Sequence, residues 1–313
     1  MKAMIYTKFG SPYGLQLKEV PAPVPKENEL LLKVKASSVN AYDWRHIRAD
    51  PWMIRLMGGG LTKPKHPIMG ADVAGIVESI GKNVKSLKPG DEVFGEAGYG
   101  GFAEYVAVHE SRIVPKPRNR SFEEAAAAPM AALTALQGLR DRGEIEKGYN
   151  VLINGSSGGV GSYAVQIARW YGCEVTAVCS TSKMDMLRSI GADRVIDYTK
   201  EDVTEIDDKY DLIFDSAAFR PASDYKKILK PDGKYIIAGG NIFRIMNLLI
   251  KPSKNMKTVT ARILTEDLML IKEMLENGKV KSVIDNIYPL EQTADAIRRL
   301  EERKVIGKVV IKI

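Results

Sequence analysis

The stretch "VLINGSSGGVGSYAVQIARWYGCEVTAV", Val151 to Val178, constrains the fold of this chain more than any other. An apolar run breaks into Gly155, Ser156, Ser157, Gly158, Gly159, Val160 and Gly161, turns helical, and meets a second apolar run. A strand, a Gly-rich turn, a helix and a second strand make a βαβ unit, which joins parallel strands by a crossover. The alternation continues. Strands are predicted at Asn150–Asn154, Glu174–Cys179, Arg194–Asp197, Asp211–Asp215 and Lys234–Ala238. Helices are predicted at Ser162–Tyr171, Lys183–Ile190 and Ala222–Leu229. This spacing predicts an α/β fold with a doubly wound parallel sheet, a Rossmann domain, over 121–263.

The flanks read differently. Residues 1–120 alternate short β-rich runs with Pro and Gly, as a partly antiparallel, barrel-like body does. Residues 264–313 read as helix, strand, helix and a last strand, "GKVVIKI", expected to return to the first body. With 313 residues and an apolar fraction of 45%, the chain can bury two cores. The net charge of +7 is spread along the chain with acids between, so a solvated surface is expected and a nucleic-acid partner is not.

Two cysteines, Cys173 and Cys179, fit a reducing, cytoplasmic setting. His46, His66 and His109 are scattered without metal-ligand spacing. The start, "MKAMIYTKFG", lacks the apolar core of a secretion signal. Ala125 to Leu139 is short for a membrane span and holds Pro129, so stable membrane insertion is not expected. The apolar segment 241–257 leaves three readings open: a flap over a pocket, a membrane-surface helix, or a dimer contact.

The turn suits an anion. Its backbone N–H groups, at Ser157, Gly158, Gly159 and Val160, and the helix N-terminus converge as around a pyrophosphate. NAD enzymes carry an acid at the end of the second strand to bind the ribose 2′-OH. Here that position is Cys179, followed by Ser180, Thr181, Ser182 and Lys183. Hydroxyls and an ammonium suit a 2′-phosphate, so NADPH is the expected cofactor. Asp215 and Ser216 fall at the end of a parallel strand, where such sheets bind ligands.

Further motifs are "ASSVNAYDW" (Ala36–Trp44), "HPIMGADVAGIVESIGKNVKSLKPGDEVFG" (His66–Gly95), "GGFAEYVAV" (Gly100–Val108), "AAPMAALTALQGL" (Ala127–Leu139), "GADRVIDY" (Gly191–Tyr198) and "GKVVI" (Gly307–Ile311). With the turn, they resemble the medium-chain dehydrogenase/reductase superfamily over essentially the whole length. Within it the chain looks like the zinc-free quinone oxidoreductase branch. Its "VIDNIYPLEQTADAIRRLEE" tail is similar to that branch and to chloroplast-envelope quinone oxidoreductase homologues.

The resemblance implies a GroES-like catalytic domain built from 1–120 and 264–313 beside the Rossmann domain. Zinc alcohol dehydrogenases place their metal ligands where this chain has Asn40, the pair Ala71–Asp72, and Met130, and their four-cysteine lobe is missing. No zinc is therefore expected. Without a Lewis acid, alcohol oxidation loses its means of lowering the hydroxyl pKa. A quinone or an α,β-unsaturated carbonyl, already electrophilic, remains as the acceptor of hydride from NADPH.

By resemblance, Asn40 offers an amide donor at a former ligand position. Tyr42 stands where zinc alcohol dehydrogenases carry a proton-relay hydroxyl and related quinone oxidoreductases often an apolar residue, with a packing role as the alternative. Asp43 matches a common family residue, with helix capping as the alternative, and solvent is a further proton source. Thr134 is implied near the nicotinamide, with Gly239 and Gly240 at that end, and Tyr198 near the adenosine phosphate. Two other readings stay open: an alcohol dehydrogenase-type activity, and a non-catalytic NADPH-binding sensor or RNA binder. Relatives pair through the last Rossmann strand, here "TVTARI", so a homodimer is one expectation and a monomer the other.

Overall fold

The computed structural model describes residues 1–56, 59–240, 244 and 253–313. Most of the segment 241–257 therefore lies outside the described residues, as do 57 and 58 of the loop before β4.

In chain order the first elements are β1 (Lys2–Ile5), β2 (Gln16–Glu19), β3 (Glu29–Val39), α1 (Ala41–Arg48), β4 (Asp72–Ile80), β5 (Glu92–Glu96), β6 (Tyr105–His109), β7 (Ile113–Pro115) and α2 (Phe122–Ala126). Then come α3 (Pro129–Gln137), β8 (Asn150–Asn154), α4 (Gly159–Trp170), β9 (Glu174–Cys179), α5 (Met184–Ser189), β10 (Arg194–Asp197), β11 (Tyr210–Asp215), β12 (Leu229–Ile237) and β13 (Met256–Thr258). The tail holds α6 (Thr265–Glu276), β14 (Ile284–Pro289), α7 (Thr293–Glu301) and β15 (Lys308–Lys312).

The chain divides into two units. One contains Met1–Met130, Ile263–Asn277 and Ser282–Ile313; the other contains Ala131–Arg262 and Gly278–Lys281. The segment 121–130 belongs with the first unit because α2 packs on β3, β4, β5 and β15. Ser121 and Glu124 start α2 with a reciprocal capping box: the Ser121 Oγ accepts the Glu124 N–H, and the Glu124 carboxylate accepts the Ser121 N–H.

The first unit is built on a seven-stranded sheet in the order β14-β15-β3-β4-β5-β7, with β6 also paired to β3. The tail thus enters the sheet of the N-terminal body: β15 runs antiparallel to β3 with Val310 opposite Ser38. One face buries Leu30, Leu32, Val73, Val77, Val93 and Val106. A second core gathers Tyr6, Val39, Ile47, Phe102, Ile297 and Ile311 beneath α1 and α7.

The second unit is a six-stranded parallel sheet in the order β10-β9-β8-β11-β12-β13. The order reverses beside β8, which makes a topological switch point between β8 and β11. Strands β8, β9 and β10 have the predicted bounds. The helix expected over Ala222–Leu229 is instead a 3₁₀ helix, Ala222–Ile228. Its buried residues Tyr225 and Ile228 are three apart, a spacing that three residues per turn satisfies. Among the described residues no helix is long and apolar enough to cross a membrane. Both cysteines are free and buried.

Candidate active site

The first unit converges polar side chains at one end of its sheet. Asn40 follows β3, and Asp72 opens β4. Ladder pairing sets Ser38 opposite Asp72, and Asp72 opposite Glu96. Residues directly opposite in an antiparallel ladder share a face, so these three form a row across β3, β4 and β5. The Asp72 carboxylate is fully buried and densely bonded. Its Oδ2 accepts from the Ser38 hydroxyl at 2.7 Å and the Asn40 Nδ2 at 2.9 Å, and its Oδ1 accepts from the Met130 N–H at 2.9 Å.

Lys308, at the start of β15, brings an ammonium into this knot. Its Nζ donates to the Asn40 Oδ1 and lies 3.3 Å from the Asp72 Oδ2. Only 3% of Lys308 is exposed, so this is a buried charge with a buried partner. The Asn40 amide is consequently committed: the oxygen to Lys308, the nitrogen to Asp72 and, at 3.4 Å, to the Ser38 carbonyl.

Asp43 is fully buried one turn into α1. Its carboxylate accepts the Asn40 N–H at 2.8 Å and the Gly70 N–H at 3.0 Å, which caps the helix and ties it to the segment before β4. Burial pushes its carboxyl up to about 7 against those two bonds. Tyr42 is half-buried, packs on the α1 core and meets the His46 ring at a tilt of 41° with centroids 4.0 Å apart. Burial, then the charge of Asp43, raises its hydroxyl above the usual tyrosine value.

Glu96 closes β5, half-buried, and makes no ion pair or side-chain hydrogen bond among the described residues. Burial, followed by the charge of Asp72, pushes its carboxyl up to about 8; Arg112 and Lys308 oppose the shift.

In the second unit the Gly-rich turn is pinned from both sides. The Ser156 Oγ donates to the Val178 carbonyl at 2.7 Å, and the Ser216 Oγ to the Asn154 carbonyl at 3.0 Å. Gly155 adopts φ +73°, and a Cβ on it would meet the Ser216 Oγ at 2.7 Å. Gly161 lies against the turn: a Cβ there would stand 2.2 Å from the Gly155 carbonyl oxygen. At Gly158 a Cβ would meet only the Gly155 oxygen, at 3.6 Å, so this face is open. Gly158 is also the N-cap of α4 and lends no side-chain cap. The first N–H groups of α4, from Gly159 and Val160, lack intrahelical acceptors, and Ser157 lies beside them. The donors and the open face fit a dinucleotide's pyrophosphate.

At the end of β9, sequence reasoning missed an acid. Asp197 ends β10 in register with Cys179, and its carboxylate accepts from the Thr181 hydroxyl and from the Thr199 N–H and hydroxyl. Those bonds hold its carboxyl below the ordinary range, and it is 4% exposed. The signal was in "GADRVIDY", whose Asp reaches the site through strand pairing. Ser180 and Lys183 close a turn, the Lys183 N–H donating to the Ser180 carbonyl at 3.0 Å. Tyr198 is exposed and donates its N–H to the Cys179 carbonyl, which sets it beside this strand end.

Asp215 faces inward. It is fully buried and accepts from Asn154, Tyr235 and the Ala217 and Ala218 N–H groups, so it shapes the loop that follows. Ser216 is part of the turn's clasp. Gly239 and Gly240 follow β12; Gly240 has φ +84°, and a Cβ on it would meet the Ala217 oxygen at 2.1 Å. Thr134 lies half-buried on α3. The predicted residues thus form two groups: Asn40, Tyr42 and Asp43 in one unit, the others in the second.

Comparison with known proteins agrees with both units. Residues 26–118 match the alcohol dehydrogenase GroES-like domain family, and residues 190–311 a zinc-binding dehydrogenase family. An NADPH-dependent alkenal/one oxidoreductase of Arabidopsis thaliana is 35% identical over 99% of this chain and 79% of its own. A chloroplast envelope quinone oxidoreductase homolog of the same plant is 33% identical over 100% of this chain and 98% of its own. The solved quinone oxidoreductase of Coxiella burnetii is 28% identical, with a TM-score of 0.88 over 100% and 99% of the two chains. The chain is an oxidoreductase and belongs to the medium-chain dehydrogenase/reductase superfamily, in its quinone oxidoreductase branch.

Proposed function

We propose that this protein reduces a quinone or an α,β-unsaturated carbonyl with NADPH, and does so without zinc. The observation that carries the reading is the Lys308 ammonium lodged between the Asn40 and Asp72 oxygens. A cation of the protein itself takes an oxygen from each of the two oxygen-bearing side chains at the old ligand positions. The Ala71 side chain has no donor atom, and Met130 offers only a thioether, a poor ligand for Zn²⁺. Among the described residues no three His, Cys, Asp or Glu side chains converge as a metal site. This donor set does not fit Zn²⁺. The acceptor must then be electrophilic by itself, as quinones and enones are. The names of the two plant relatives point to the same substrate classes.

The residues at the turn fit NADPH, which when bound supplies hydride from C4 of its nicotinamide. Gly159 and Val160 offer N–H groups to the pyrophosphate, while Gly158, whose own N–H donates to the Gly155 carbonyl at 3.2 Å, leaves room for it to approach; Ser180, Thr181 and Lys183 stand at the 2′-phosphate end. Asp197 stays ionised, but its oxygens are taken up by the Thr181 and Thr199 hydroxyls and its charge is faced by the Lys200 ammonium 3.8 Å away. The Michaelis constant for NADPH is expected to lie at least about tenfold below that for NADH, the worth of one charge-assisted hydrogen bond. Steady-state assays with benzoquinone and an enal test both halves of the reading. Equal use of NADH would remove the cofactor assignment. Turnover confined to an alcohol with NAD would favour a dehydrogenase instead, and no turnover with any acceptor a binding protein.

A homodimer belongs to the same reading. β13 is the edge of its sheet, and among the described residues no strand pairs with its outer side. Sedimentation velocity is expected to report about twice the chain mass at micromolar concentration; a monomer there would refute the pairing.

A further inference from the structure

Three carboxyl groups, Asp43, Asp72 and Glu96, crowd one buried ammonium, Lys308. Asp72 holds that cation. Asp43 has both oxygens on backbone N–H groups. Both are fully buried, so neither offers an oxygen to a ligand. Glu96 is the exception: it is half-buried and unbonded, and it stands directly opposite the charged Asp72 in the ladder. Like charges so opposed are unfavourable, and Glu96 relieves the repulsion by keeping its proton. Arg112, whose Nη1 reaches the neighbouring Ala97 carbonyl at 3.5 Å, is the other cation acting on it. Tyr42, on α1, is a poorer acid, because burial first and then the charges of Asp43 and Glu96 raise its hydroxyl.

We propose that Glu96 is the proton donor of this active site, giving its carboxyl proton to the substrate oxygen that hydride addition leaves negative. The proposal rests on the reductase reading above. For an enal the balance is as follows. Hydride forms a C–H bond at the β-carbon, and the C=C pair moves toward the carbonyl, whose C=O π pair settles on oxygen. The Glu96 O–H bond breaks as an O–H bond forms on that oxygen. Glu96, left as carboxylate, recovers a proton from water. The reductant is the two-electron donor NADPH, and the carbonyl product follows by tautomerisation.

The burial that favours the neutral form carries a pH signature. A carboxyl raised in the folded state costs nothing below its unfolded pKa, near about 4.3, and costs stability as pH rises through its folded value, about 8. Glu96→Gln, of equal shape and no charge, is therefore expected to melt above the wild type at pH 9 and with it at pH 4. Its turnover of an enal with NADPH is expected to fall about a hundredfold or more. The fall in wild-type rate above pH 8 should vanish in Glu96→Gln and persist, shifted, in Glu96→Asp. Infrared spectra of the cofactor-free protein should show a protonated carboxyl band lost between pH 7 and 9, and missing in Glu96→Gln. An active wild type whose Glu96→Gln variant keeps its rate and alkaline limb overturns this proposal alone, as does loss of turnover in Tyr42→Phe with Glu96→Gln unaffected. A wild type inactive with benzoquinone and enal overturns the reductase reading and this proposal with it.

Discussion

Replacing Lys308 by Met is expected to cost about 3–5 kcal/mol of stability, the usual result of removing one partner from a buried ion pair. The side chain is 3% exposed, and its ammonium is the cation that Asp72 and the Asn40 oxygen share. Without it a fully buried carboxylate faces Glu96 across the ladder uncompensated. The double variant Lys308→Met with Asp72→Asn should regain a large part of the loss, because charge and countercharge leave together. Urea unfolding of the three proteins checks this. A Lys308→Met midpoint equal to the wild type would mean that the ammonium adds nothing to the fold. The same knot holds the Asn40 amide with both ends occupied, so Asn40 braces the site rather than donating freely into it.

The second large effect is expected at Gly161. Valine there sets a Cβ 2.2 Å from the Gly155 oxygen and 2.6 Å from the Ser156 Cα, both backbone atoms that cannot swing aside. Overpacking of this kind costs about 1–3 kcal/mol. The relief open to the chain is for α4 to move off the turn, which misaligns the N–H groups of Gly159 and Val160. NADPH affinity should drop about tenfold for each 1.4 kcal/mol of lost contact. Fluorescence titration of NADPH against the wild type and Gly161→Val reads it directly. Unchanged affinity would show that the turn is not the pyrophosphate seat.

The two predictions draw on different kinds of information. The Gly161 contact was legible in the sequence, because strand, turn and helix are adjacent and each glycine's purpose is local. The bounds of β8, β9 and β10 followed from apolar runs cut by turn residues in the same way. Lys308 was visible only as the second residue of "GKVVI", one lysine among many. Its partner Asn40 lies 268 positions away, and only the pairing of β15 with β3 joins them. Glu96 falls just outside the motif that ends at Gly95, and only the ladder sets it opposite Asp72. Asp197 likewise came to the cofactor end through the pairing of β10 with β9.

Local chemistry therefore determined the Rossmann turn and the strand–helix alternation, while the residues at the old zinc positions came from the family resemblance. The turn and the alternation depend on backbone conformation and side-chain type within a few turns of chain. The tertiary structure decided which charges meet. A sheet of seven strands brings Lys308, from the end of the chain, beside Asn40 and Asp72, with Glu96 opposite Asp72 in the ladder. Glu96 differs from the other acids of this chain only in what the fold has set beside it.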